Sequence, residues 1–140
     1  MVRPRYLFLP IRPEPAIAIL QGRKKWELRT KRPAIDSGDV VVLYATAPLK
    51  AVVGSFIAGE VISGAPRAVW AAVRGEVTST RGRYFESFGA AQVVHAIQVR
   101  SPRRIDPYTP GFRVGQGWRY LDGRENSKHR SVIERIDKSR

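Results

Sequence analysis

Apolar positions along this chain fall into short runs separated by charged or turn-forming residues. Tyr6, Leu7, Phe8 and Leu9 lie between Arg5 and Pro10, a run of the length of one buried strand. Arg12, Pro13, Glu14 and Pro15 then open a helix, since proline is tolerated in a first turn, where its missing N–H has no intrahelical partner to lose. Residues 16–21 continue that helix, with Ile17 and Leu20 expected to face the core, and Gly22 ends it. Alternation through the next stretch puts Trp26 and Leu28 on one face of a strand and Lys25, Glu27 and Arg29 on the other. Lys24 falls on the apolar side by parity. It is therefore expected at the strand's mouth or a bulge beside Gly22, with its long stem carrying the ammonium outward. The same alternation also describes an ordinary amphipathic strand with a solvated charged face.

Beyond a basic run ending at Pro33, Asp36, Ser37, Gly38 and Asp39 read as a turn. Residues 40–45 are too continuously apolar for a strand with one wet face. Residues 51–62 form a second long β segment, in which Gly54 and Gly59 predict bends of the kind that turn a barrel corner. Pro66 opens a helix over residues 67–73, with Val69, Trp70 and Val73 at helical spacing, and residues 82–88 fit a second short helix. Residues 92–99 are a strand, residues 102–111 a proline-rich loop, and residues 118–121 a last short strand. Residues 124–138 are a charged tail, helical or partly disordered. The expected class is α+β: a small, strongly curved barrel of five to six strands with two to three short helices around it. The expected division is a domain over residues 1–121 and a charged tail over residues 122–140.

Composition sharpens this picture in one direction. Against 25 Lys and Arg stand only 12 Asp and Glu, a net charge of +13 on 140 residues. Most of the cations have no acid to pair with, so arginine-rich ion pairing of the thermophile kind does not explain the surplus. Nucleic acid is the default partner of such a surface, which also opposes self-association beyond a monomer or weak dimer. A protein partner remains a further reading. The chain has no apolar run long enough to span a bilayer and no basic amphipathic helix suited to a membrane surface, and its start lacks an apolar signal core, so a cytoplasmic protein is expected. With no cysteine there is neither disulfide nor thiolate metal site.

Candidate chemistry is concentrated on cations and aromatic rings. His95 and His129, the only histidines, lie on different predicted elements; His95 reads as a structural histidine and His129 as a solvated one. No metal-ligand spacing, nucleophile elbow or phosphate-binding glycine loop occurs, and no cofactor is implied. Basic and aromatic residues interleave instead, at Lys24, Lys25 and Trp26, at Arg81, Arg83, Tyr84 and Phe85, and at Trp118, Arg119 and Tyr120. Cations that track phosphates beside rings that stack on bases make a single-strand binding surface. Tyr84 and Tyr120 are expected to be partly exposed, whereas Trp26, Phe85 and Trp118 fit a core equally well.

Gly22, Lys24, Glu27 and Arg29 match in order and spacing the Gly-x-Lys-x-x-Glu-x-Arg signature of the ASCH domain, a member of the PUA-like superfamily, and the chain resembles that family from about residue 5 to 121. The strand, proline-opened helix, motif, turn and apolar strand follow in the family's order. Residues 116–121, Gln-Gly-Trp-Arg-Tyr-Leu, resemble the Gln-Ser-Phe/Trp-Arg-Tyr-Leu ending of small archaeal-type stand-alone members. The resemblance implies a β-barrel with a positively charged cleft floored by the motif, and a role in RNA binding in translation, RNA metabolism or transcription. Some stand-alone members resemble hydrolases, one branch acting on acylated cytidine and another cleaving single-stranded RNA. In the amidohydrolase branch the position of Glu27 is a threonine, so that mechanism does not carry over unchanged.

Two function classes follow. In a binding module, the candidate nucleic-acid ligands are Lys24, Lys25, Glu27, Arg29, Tyr44, Lys50, Tyr84, Arg113, Gln116 and Arg119. Glu27 would reject bare phosphate and accept from a base amino group. In a hydrolase, Lys24 and Glu27 would be the catalytic pair, with Tyr44 or Lys50 stabilising developing charge. Adjacent in space, Lys24 and Glu27 equally suit an ion pair that fixes the cleft, and this is the preferred assignment.

Overall fold

In the computed structural model, which describes residues 3–140, the chain runs β1 (Tyr6–Ile11), α1 (Pro13–Leu20), β2 (Trp26–Arg29), β3 (Val40–Ala45), β4 (Ala51–Gly64), α2 (Pro66–Val73), α3 (Arg81–Phe88), β5 (Val94–Tyr108), β6 (Arg119–Tyr120) and α4 (Ser127–Lys138). The strands form one mixed sheet in the order β2-β5-β4-β3-β1-β6. β1 and β3 are parallel, and the remaining pairs are antiparallel. β2 and β6 are its two ends, so the expected barrel is realised in open form within an α+β fold.

Each face of the sheet is buried by a different helix, which is why the central strands are apolar throughout. Leu7, Leu9, Val41, Leu43 and Phe56 pack with Ala16 and Ile19 of α1. Phe8, Val42, Tyr44 and Val52 pack with Val132 and Ile136 of α4. Trp26, Val94 and Ala96 form a third cluster under α2 with Val69 and Val73. On α1 the inward residues are Ala16, Ala18 and Ile19, while Ile17 is exposed, contrary to its expected core position. The inward stripe runs through positions 16, 19 and 20, and its alanine carries a weaker apolar signal than the Ile17 beside it.

The glycines of β4 act through close approach. A Cβ on Gly54 would lie 2.3 Å from the Arg103 carbonyl oxygen, and one on Gly59 would lie 2.3 Å from the Gln98 side chain. Both sit where the β4–β5 register shifts, so glycine lets the long ribbon bend.

Two further expectations are corrected. Residues 102–108 are not a loop but the second half of β5, which continues to pair with β4 as far as Tyr108. β2 stops pairing at Gln98. Beyond that point β5 has one open edge, where Pro102 and Pro107 need cost no ladder bond. His129 is not solvated: it is buried against Phe112, with ring centroids 4.8 Å apart, and its Nδ1 accepts the Asp122 backbone N–H at 2.9 Å. The charged tail hides this because only every third or fourth residue of α4 is apolar. Arg140 then ties the end of the chain down, donating to Ser55 Oγ at 2.8 Å and to the Ser101 carbonyl at 2.6 Å.

Candidate nucleic-acid interface

The motif is placed by the end of α1. Gly22 adopts φ +78°, a left-handed conformation that glycine takes without a Cβ penalty. It lets the Gly22 N–H reach the Ile19 carbonyl and the Arg23 N–H the Ala18 carbonyl, the paired bonds of a Schellman cap. The Lys24 N–H also donates to Ala18, at 3.1 Å, so the lysine is fixed against the helix end just before β2 begins. The Gly-x-Lys spacing is thus the geometry of one helix cap.

From that position Lys24 Nζ donates to Glu27 Oε1 at 2.7 Å, so its stem turns the ammonium inward and not outward as expected. Arg29 Nε donates to Glu27 Oε2 at 3.2 Å, and its guanidinium also donates to the Pro10 carbonyl at 3.2 Å. The Glu27 side chain is 5% exposed, Lys24 12% and Arg29 26%. One buried carboxylate therefore carries a cation on each oxygen. These three residues line a cavity of about 570 Å³ together with Arg12, Glu14, Ser79, Arg83 and Phe88.

Tyr44, Lys50 and Gln116 do not join them. They line a second cavity, of about 590 Å³, with Thr46, Phe112 and Val114. The two cavities share Pro10, Ile11 and Arg12, the end of β1 and the start of α1, as a common wall. Lys50 is exposed and holds φ +50°, unusual for a residue with a side chain. No acid lines this second cavity.

The other candidates lie elsewhere. Lys25 is exposed outside both cavities, where its backbone joins Glu76 and Val99. Arg119 lies over the Phe112 ring, 5.5 Å from its centroid, behind the second cavity, and Arg113 is exposed in the adjoining loop. Tyr84, expected to be partly exposed, is fully buried between Trp70, Phe85 and Phe88, and its hydroxyl donates to the Pro66 carbonyl at 2.8 Å. Burial raises its pKa, and its ring is unavailable for stacking. Arg12 and Arg83 were missed as cavity residues. Arg83 was legible in the interleaved Arg-Gly-Arg-Tyr-Phe run, whereas Arg12 looked like no more than the residue before a helix.

Among the described residues every ion pair runs to Arg5, Lys24 or Arg29. The other described cations form no ion pair, though Arg81, Arg119 and Arg135 lie over aromatic rings. No group of His, Asp or Glu among the described residues is arranged to hold a metal ion, and no helix there is long and apolar enough to cross a membrane.

The ASCH domain family model matches residues 9–103, which include the whole of β2 and the Lys24–Glu27–Arg29 cluster. The chain belongs to the ASCH domain family. Its fold is similar to that of the ASCH protein from Zymomonas mobilis, with a TM-score of 0.81 at 24% identity, covering 90% of this chain and 94% of that one. A single-substitution variant of that protein gives a TM-score of 0.82 at 20% identity, covering 92% and 96%. No match was found among curated protein sequences. At these identities the likeness concerns the fold. It extends past the family match over residues 9–103, since it covers nine-tenths of the chain.

Proposed function

We propose that this ASCH protein binds a single-stranded RNA segment or a nucleotide across the two cavities that meet at Arg12. The observation that carries this reading is the shared wall. A chain bent over residues 10–12 meets Lys24, Arg29 and Arg83 on one side and Lys50, Tyr44 and Gln116 on the other. Family membership supports nucleic acid as the ligand class, as does the net charge of +13. Glu27 suits recognition of a base amino group: the cations engage only two of about four carboxylate acceptor sites. Affinity for a labelled single-stranded RNA should fall with salt, with a log–log slope of about 0.7 for each phosphate neutralised. Lys24→Ala and Lys50→Ala should each weaken it. An affinity indifferent to salt would overturn this reading.

A hydrolase is the second reading, favoured by one observation: Tyr44 and Lys50 line the same acid-free cavity, where a phenol and an ammonium can stabilise charge developing on a phosphoryl or acyl oxygen. Glu27 is less suited to act as base, because both its oxygens already accept from cations. Incubation with modified nucleosides and short RNAs, followed by mass spectrometry, separates the two. Turnover lost in Lys50→Ala makes the protein an enzyme; retention of RNA without turnover leaves a binding module.

A further inference from the structure

A third cavity, of about 510 Å³, lies between the start of α2 and α3, and the RNA-binding reading does not use it. Its floor is apolar, made by Pro66 and the half-buried ring of Phe85, and its rim carries the exposed guanidinium groups of Arg67 and Arg81. Arg81 lies over the Phe85 ring, 5.0 Å from its centroid. Trp70 and Tyr84 pack edge-on against Phe85 at 6.3 and 5.0 Å, so the ring is held in a fixed plane from below. No carboxylate lines the cavity. With the Arg81 guanidinium swung from the ring to a phosphate, this flat, rigid aromatic surface between two cations matches a planar base flanked by phosphates.

The position of this cavity relative to the motif is informative. Arg81 and Phe85 lie on one side of α3, and Arg83 and Ser87, which line the motif cavity, lie about half a helix turn away. Between Arg81 and Arg83 stands Gly82, with open space beyond its Cα. The helix is therefore crossed at its first turn by a ridge that carries no side chain and has a cation on each flank.

We propose that Phe85, Arg67 and Arg81 form a base-stacking subsite for single-stranded nucleic acid, reached from the motif cavity by a strand that passes over Gly82. This inference rests on the RNA-binding reading above and extends it to a longer ligand. A dinucleotide fills the motif cavity alone, while a 12-mer spans α3, whose diameter is about 10 Å.

The test compares wild type, Phe85→Ala, Phe85→Tyr and Gly82→Glu for binding of a labelled RNA dinucleotide, an RNA 12-mer and a DNA 12-mer. Phe85→Ala should weaken the 12-mers about tenfold, the scale of one lost stacking contact, leave the dinucleotide unchanged, and be rescued by Phe85→Tyr. Gly82→Glu places an acid in the first turn of α3, where it favours the helix, yet it should repel the strand and weaken the 12-mer. Retained dinucleotide binding in that variant shows that its loss of 12-mer binding does not come from unfolding. Equal effects on RNA and DNA 12-mers identify a subsite that reads stacking and phosphate only; an effect on RNA alone assigns it to RNA. Unchanged 12-mer affinity in both Phe85→Ala and Gly82→Glu overturns the subsite and leaves the motif reading standing. Failure of wild type to bind any of the three ligands overturns both. Binding of a polyglutamate peptide that Phe85→Ala weakens, with 12-mer affinity unchanged, reassigns the face to an acidic protein partner.

Discussion

The motif cavity and the Tyr44–Lys50 cavity share a wall but are built on opposite electrostatic plans. In the first, Glu27 sits between Lys24 and Arg29 and uses both oxygens to hold them, so the cations are positioned before any ligand arrives. In the second, Lys50 stands exposed at the end of a loop with no acid beside it. The first arrangement gives geometry at the cost of part of the charge available to a ligand; the second keeps its charge and gives up geometry. A ligand that touches both would take its register from Glu27 and its attraction from Lys50.

The largest effect should come from breaking the pinned side. Glu27→Ala leaves Lys24 and Arg29 in a largely buried site without their carboxylate, and breaking such a cluster costs about 3 kcal/mol. Thermal unfolding should move down by roughly 10 °C for a chain of this size. Glu27→Gln keeps the shape and one acceptor and should cost less. If Glu27→Ala unfolds at the wild-type temperature, the cluster is not a structural clamp, and the contrast between the cavities fails.

The clamp was legible in the chain because it is local. Gly22, Lys24, Glu27 and Arg29 lie within eight positions, and a helix cap followed by a strand brings them together whatever the rest of the fold does. The turn at Asp36 and Asp39 was legible for the same reason: Asp39 accepts the backbone N–H of Asp36 and of Arg5, and Gly38 supplies φ +95°. The second cavity was not separable from the first, because Tyr44, Lys50 and Gln116 meet only once β1 has been inserted between β3 and β6. Tyr84 was misjudged on the same ground. An aromatic beside two arginines reads as surface until α2 is known to pack over it, with Val69 and Val73 turned inward to the sheet. Pairing along β5 beyond residue 99 was hidden by its prolines, whose cost depends on which side of the strand has lost its neighbour.

A smaller effect tests the unpinned side. The left-handed backbone of Lys50 is unfavourable for any residue with a Cβ, by about 1 kcal/mol, so Lys50→Gly should raise stability by up to that amount. The same substitution removes the free ammonium and should weaken RNA binding several-fold, with a salt slope lower by about 0.7 if one phosphate contact is lost. Stability and affinity then move in opposite directions. In Glu27→Ala they should fall together. A Lys50→Gly protein that is destabilised would show that the lysine side chain is itself a structural contact.

The smallest effect distinguishes the cavities by pH. The second cavity is walled by Phe112, which packs on the buried His129, whereas no histidine lines the motif cavity. Burial lowers the His129 pKa below its usual 6.5, with Arg119 adding to the shift and Asp122 opposing it, and Nδ1 must stay unprotonated to accept the Asp122 N–H. The unfolded chain then takes up a proton near pH 6.5 that the native chain refuses. Stability from this group is complete above that value and is lost as pH falls from 6.5 toward the lower native pKa. The urea midpoint should therefore drop modestly between pH 7.5 and 5.5, and His129→Asn, whose amide oxygen can take the place of Nδ1, should flatten that part of the profile. A drop of equal size in His129→Asn would place the titrating group elsewhere.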